Sequence, residues 1–119
     1  MLLSLTLLAG CLVDKGELVE ETPAEYCDTL QATYVDTCKT IVDTYCAVAG
    51  CHNNAATIGD FSTYAGMSDQ GVLEGDEQGL GGRIISATNP MPPSGLLPDT
   101  IRRVLECWAR NGYPEELTP

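Results

Sequence analysis

The chain has 119 residues, with 17 acids against 6 bases and a formal net charge of −11. That length allows one domain with tails, and that charge argues against a nucleic-acid partner, which calls for a basic patch. One Trp, one Phe and five Tyr against twelve Gly and seven Pro leave little bulk for a core. So small a domain needs disulfides, a metal or a bound cofactor to hold it, and six cysteines suggest an oxidising compartment.

Residues 1–10 form an apolar run, Met-Leu-Leu-Ser-Leu-Thr-Leu-Leu-Ala-Gly. It is too short to span a bilayer and reads as the hydrophobic region of a secretory signal, although no Lys or Arg precedes it. The alternative is a buried N-terminal segment. The run ends Leu8-Ala9-Gly10-Cys11, which resembles the bacterial lipobox. That resemblance implies cleavage before Cys11 and a diacylglyceryl thioether on it. Residues 11–27 then form a lipidated acidic tether. Asp14, Glu17, Glu20, Glu21 and Glu25, together with Pro23, leave too little apolar surface to offset ordering entropy, so disorder is expected there. Residues 12–36 hold seven acids and one base, more than half of the net charge. Solubility accounts for most of these acids; the functional alternative is steering toward a basic partner surface.

From about residue 28 to residue 45, Leu30, Tyr34, Val35, Cys38, Ile41, Val42 and Tyr45 recur in steps of three and four and predict one amphipathic helix. Its β-branched content lowers intrinsic propensity, so packing must hold it. The helix delivers the stretch Cys46-Ala47-Val48-Ala49-Gly50-Cys51-His52, which contains the chain's one histidine. A thiol pair followed at once by His is the arrangement of c-type haem attachment. The thiols add across the two vinyl groups and the imidazole becomes the proximal iron ligand. The usual spacing between the thiols is two residues; here it is four, all small, and Gly50 can supply the backbone angles of a bulged loop. The motif alone leaves two alternatives open: a Cys46–Cys51 disulfide closing a small loop, and a zinc site, which would need about four protein ligands.

Residues 53–82 are rich in Gly and Asp. A short helix is expected over 62–68, capped by Asp60 or Ser62, and a further helical or extended piece opens at Arg83-Ile84-Ile85. Residues 89–98, Asn-Pro-Met-Pro-Pro-Ser-Gly-Leu-Leu-Pro, form a stiff extended segment that can present the sulfur of Met91. The last helix starts at Pro98 or Asp99 and carries Ile101, Val104, Leu105 and Trp108 on one stripe, with Asn111-Gly112 as its stop.

Together these parts resemble a single-haem class I cytochrome c domain of bacterial lipoproteins. The residues that carry the resemblance are Asp43-Thr44-Tyr45-Cys46, Gly50-Cys51-His52, Asp60-Phe61-Ser62-Thr63-Tyr64, Met91-Pro92-Pro93-Ser94-Gly95 and the closing helix with Trp108, Asn111 and Gly112. The resemblance implies an all-α fold over residues 28–119: three to four short helices around one covalent haem c, with long Gly/Pro-rich loops. It implies thioethers on Cys46 and Cys51, His52 as proximal ligand and Met91 as distal ligand. Met67 is the competitor on a helix face, where Met is more often core filler. Trp108 and Tyr64 are expected to pack on the haem or between the terminal helices, and Arg83 to pair with a propionate. In this fold the first and last helices cross, so a Cys38–Cys107 disulfide is expected, with Cys27 as the alternative partner.

The implied role is a lipid-anchored electron carrier of the bacterial envelope, periplasmic or outer-membrane, serving other redox proteins and not itself an enzyme. The alternatives are a disulfide-stapled interaction lipoprotein without cofactor and a five-coordinate haem enzyme or gas-binding site.

Overall fold

The computed structural model describes residues 22–54, 57–74 and 79–119. The signal at 1–10, Cys11 and most of the tether lie outside the described residues. Among those described, the regular structure is entirely helical, and no helix is long and apolar enough to cross a membrane.

Helix α1 is Pro23–Thr29 and begins inside the stretch read from composition as tether. The reason is local. The Glu25 carboxylate accepts both the Thr22 N–H (2.8 Å) and the Thr22 hydroxyl (2.9 Å), the reach-back half of a capping box, and Pro23 occupies the first turn, where its missing N–H costs nothing. The two Thr22 hydrogen bonds also hold the Glu25 carboxyl below its usual range.

The expected helix over 28–45 is broken. After α1 the chain turns, then forms a π-helical segment, Tyr34–Cys38, that runs into α2, Lys39–Tyr45. The wide turn is set by Thr33: its carbonyl accepts the Cys38 N–H at 2.9 Å and its hydroxyl accepts the Asp36 N–H at 3.2 Å. Tyr34, Cys38 and Val42 are buried. Val35, assigned to the apolar stripe by periodicity, is 54% exposed instead, because the widened turn shifts the register away from 3.6 residues per turn.

Helix α3 is Tyr64–Asp69, capped by Thr63 rather than by Asp60 or Ser62: the Thr63 hydroxyl accepts the Gly66 N–H at 3.0 Å. Helix α4 is Leu80–Ile85 and α5 is Asp99–Arg110. The stop at Asn111-Gly112 is a Schellman turn. Tyr113 N–H donates to the Trp108 carbonyl (2.9 Å) and Gly112 N–H to that of Ala109 (3.0 Å), while Gly112 and Tyr113 take φ of 81° and 55°. The Tyr113 ring meets Trp108 edge-on at 5.1 Å, the apolar contact that accompanies such a cap.

The C-terminal residues then tie the fold together. Pro114 and Glu115 carbonyls accept the N–H groups of Tyr34 and Val35, and Trp108 Nε1 donates to Pro114 (3.0 Å). Tyr64 donates its hydroxyl to the Tyr113 carbonyl, and Gly81 N–H donates to the Tyr113 hydroxyl. Leu105, Trp108, Met67 and Ile84 fill the core beside them.

Cys107 of α5 is bonded to Cys27 of α1, closing 80 residues. This corrects the expected Cys38–Cys107 pairing. Composition hid α1, which lies along α5 and presents Cys27, while Tyr26 donates to Glu106 (2.9 Å) and takes Arg103 over its ring. Cys38 is buried and unpaired, its thiol pushed up to about 12 by desolvation.

Candidate functional site

Helix α2 ends at Tyr45 with the chain already wound to deliver Cys46: both Cys46 and Ala47 donate to the Val42 carbonyl at 2.8 Å. The loop that follows closes on itself. His52 N–H donates to the Cys46 carbonyl (3.0 Å), Cys51 N–H to that of Val48 (3.0 Å), and Gly50 takes φ 81°. Four residues between the thiols are accommodated because a glycine supplies the left-handed angle.

Cys46, Cys51 and His52 thereby reach one wall of an apolar cavity of about 340 Å³, within the range small-molecule sites occupy. Helix α4 and the proline segment contribute to its lining as well. Arg83, Ile84, Met91, Pro92 and Pro93 line it, and Tyr45, Ile58 and Phe61 complete the apolar surface. Met91 is held there by its N–H, which donates to the Arg83 carbonyl at 3.1 Å. Five of the seven residues expected to touch a cofactor, Cys46, Cys51, His52, Arg83 and Met91, therefore line one cavity.

Two expected contacts are absent from it. Trp108 and Tyr64 do not line the cavity. Trp108 is fully buried against Tyr34, with ring centroids 6.1 Å apart, and Tyr64 meets the other side of the same cluster, 5.4 Å from Tyr34. Their apolar bodies close the C-terminal side of the core. Met67 is also fully buried in the core and does not line the cavity.

The donor set has definite chemistry. His52 Nδ1 lies 3.2 Å from the Gly59 carbonyl. A carbonyl only accepts, so a hydrogen bond here requires the proton on Nδ1, the tautomer that leaves Nε2 available to a metal. Cys46 and Cys51 are unpaired. Burial pushes the Cys46 thiol up to about 11, with the neighbouring Cys51 adding to the rise. Among the described residues, no carboxylate forms an ion pair with Arg83, and no group of three or more His, Cys, Asp or Glu side chains could hold a metal ion. The donors available are thus two thiols, one imidazole and one thioether around an apolar space. The chemistry of that set fits covalent attachment of a haem, with His52 and Met91 as the side chains that would hold its iron, and it lacks the ligand count of a structural zinc site.

Sequence reasoning missed the role of Phe61, whose ring lies 3.8 Å from that of His52 at an interplanar angle of 3°. The local signal was Asp60-Phe61-Ser62, a turn-forming Asp-x-Ser directly after the His loop. No family model, curated protein or solved structure matches the chain. The functional reading therefore rests on this cavity and its donors.

Proposed function

We propose that the protein is a c-type electron carrier: a haem bonded through Cys46 and Cys51 occupies the cavity, with His52 and Met91 as axial ligands. The observation that carries this reading is the convergence of two free thiols, an imidazole within hydrogen-bond reach of the Gly59 carbonyl and a thioether on one apolar cavity. When bound, the haem supplies one-electron iron chemistry.

The chain's own residues do the rest. The Gly59 carbonyl would hold the proton on Nδ1 and leave Nε2 available to bind the iron. The Arg83 carbonyl holds the Met91 backbone, and Pro92 and Pro93 stiffen the segment that presents its sulfur. If His52 and Met91 both held the iron, no site on it would remain for a substrate, so electron transfer rather than catalysis is the expected activity. The guanidinium of Arg83 offers a partner for a propionate. Ile58, Phe61 and Ile84 give the cavity an apolar lining, which would disfavour the more highly charged state of a bound metal centre.

A lipid on Cys11 would hold the domain at the envelope and raise its local concentration near other redox proteins of that surface. The acidic balance of the chain suits partners with basic docking faces.

A pyridine haemochrome spectrum of protein made in a host with haem-maturation machinery tests the reading. The wild type should give the spectrum of a haem with two thioethers, and Cys51→Ala that of a haem with one. A colourless product would favour a structural or interaction module stapled by Cys27–Cys107. Ready binding of carbon monoxide by the reduced, coloured protein would remove Met91 from the iron and point to a five-coordinate site.

A further inference from the structure

We infer that Phe61 is a positioning residue for His52, fixing the plane of the imidazole ring through face-to-face contact, and that residues 59–66 form the buttress that holds Phe61 in place. This rests on the reading of His52 as an iron ligand.

The geometry has three parts. The Phe61 and His52 rings are parallel, 3.8 Å apart, and Phe61 is buried. The backbones of the two residues are joined as well: Phe61 N–H donates to the His52 carbonyl at 2.8 Å. The imidazole is held at a second point by Gly59, only two residues before Phe61. A ring pinned through Nδ1 can still rotate about that hydrogen bond. A parallel ring at van der Waals distance removes that freedom.

Phe61 is itself immobilised from both sides. Asp60 Oδ1 accepts the Ser62 N–H (2.8 Å) and the Ser62 hydroxyl (2.6 Å), closing a turn around Phe61. Those two hydrogen bonds hold the Asp60 carboxyl below its usual range. The Asp60 carbonyl is packed against Gly66 so closely that a Cβ there would lie 2.5 Å from it. Gly66 in turn is fixed by the Thr63 cap. The polar residues of Asp60-Phe61-Ser62-Thr63 thus serve one apolar side chain, and through it the histidine. Contacts of this kind, made to the ligand rather than to the metal, orient a metal-bound imidazole and tune the metal.

Two measurements test the inference. In the cofactor-free chain, proton NMR should find the His52 ring protons shifted upfield by the Phe61 ring current, and Phe61→Leu should abolish that shift while Phe61→Tyr keeps it. In the haem-loaded, oxidised protein, electron paramagnetic resonance should show an altered g-anisotropy for Phe61→Leu, because the imidazole plane turns, and wild-type values for Phe61→Tyr. Identical g-values in all three coloured proteins would overturn the positioning role and leave the haem reading standing. A colourless wild type would overturn both. If Phe61→Leu does not fold, Asp60→Ala opens the same turn and should move the g-values in the same direction.

Discussion

The two sides of this small core are built on opposite plans. Around the end of α5, Trp108, Tyr34, Tyr64 and Tyr113 pack ring against ring, and the residues from Tyr113 to Glu115 receive hydrogen bonds from four other parts of the chain. Around the Cys46–His52 loop the chain instead leaves a cavity of about 340 Å³, faced with apolar side chains and four potential ligand atoms. A chain poor in large residues has spent most of them on one side. The contrast teaches that the aromatic side is packed by the chain's own rings, whereas the cavity side offers apolar walls and donor atoms.

The comparison breaks most sharply at Trp108. It is fully buried, stacks on Tyr34 and donates to Pro114. Trp108→Ala should cost about 4 kcal/mol in urea denaturation of the cofactor-free chain. A loss below about 1 kcal/mol would mean that the aromatic side is not the stable half.

The staple comes next. Removing Cys27–Cys107 by double substitution to Ser frees α1 from α5 and restores the loop entropy of the unfolded chain, so a loss of about 3 kcal/mol is expected in the same assay. Cys38→Ser should leave the disulfide intact, which peptide mapping without reductant would check. A Cys38–Cys107 link in the map would overturn the pairing found here.

These two cases also show what the sequence made legible. Helix α5 and its stop were readable because both signals are local: a stripe at Ile101, Val104, Leu105 and Trp108, then Asn111-Gly112. The thiol loop was readable for the same reason, since Gly50 supplies the turn where it stands. Helix α1 was hidden because its acids were counted as tether, although Thr22-Pro23-Ala24-Glu25 is itself a start signal. The disulfide followed that omission. Burial of Cys38 was visible in the periodicity, but periodicity assigns a face, not a partner. Met91 and Arg83 were named for the site of the thiol loop only through the resemblance, because they join the cavity through a backbone hydrogen bond between residues eight apart and through packing that no local pattern records.

A smaller effect separates buttress from cavity. Gly66→Ala places a methyl group 2.5 Å from the Asp60 carbonyl, and backbone on that side must move. A loss of about 2 kcal/mol is expected, accompanied by the change in His52 ring-proton shifts described for Phe61→Leu. Met91→Leu should do the reverse. The change conserves volume at a half-buried position, so the cofactor-free chain should lose less than about 1 kcal/mol. The haem-loaded protein should nevertheless lose its thioether charge-transfer band. Stability and ligation would then respond to different residues, as the two plans require.

Near neutral pH the thiols change nothing, and their effect, confined to alkaline pH, compares the two sides directly. Cys38 lies in the filled core, Cys46 at the cavity, and burial raises both, to about 12 and about 11. A thiol held protonated by the fold stabilises it fully below the unfolded value. That contribution declines as pH rises from the unfolded value and is lost once the folded value is passed. The cofactor-free chain should therefore lose stability progressively above about pH 9, with Cys46 completing its change before Cys38. Conversion of Cys46 to a thioether removes its proton from this balance, so the haem-loaded protein should keep only the Cys38 part of the decline. Alkylation at pH 8 reads the same order without denaturant: the half-buried Cys51 should label first, Cys46 more slowly, and Cys38 only as fast as the whole core opens. Equal labelling of Cys38 and Cys46 would show that the cavity side is as tightly closed as the aromatic side, and the contrast between them would fail.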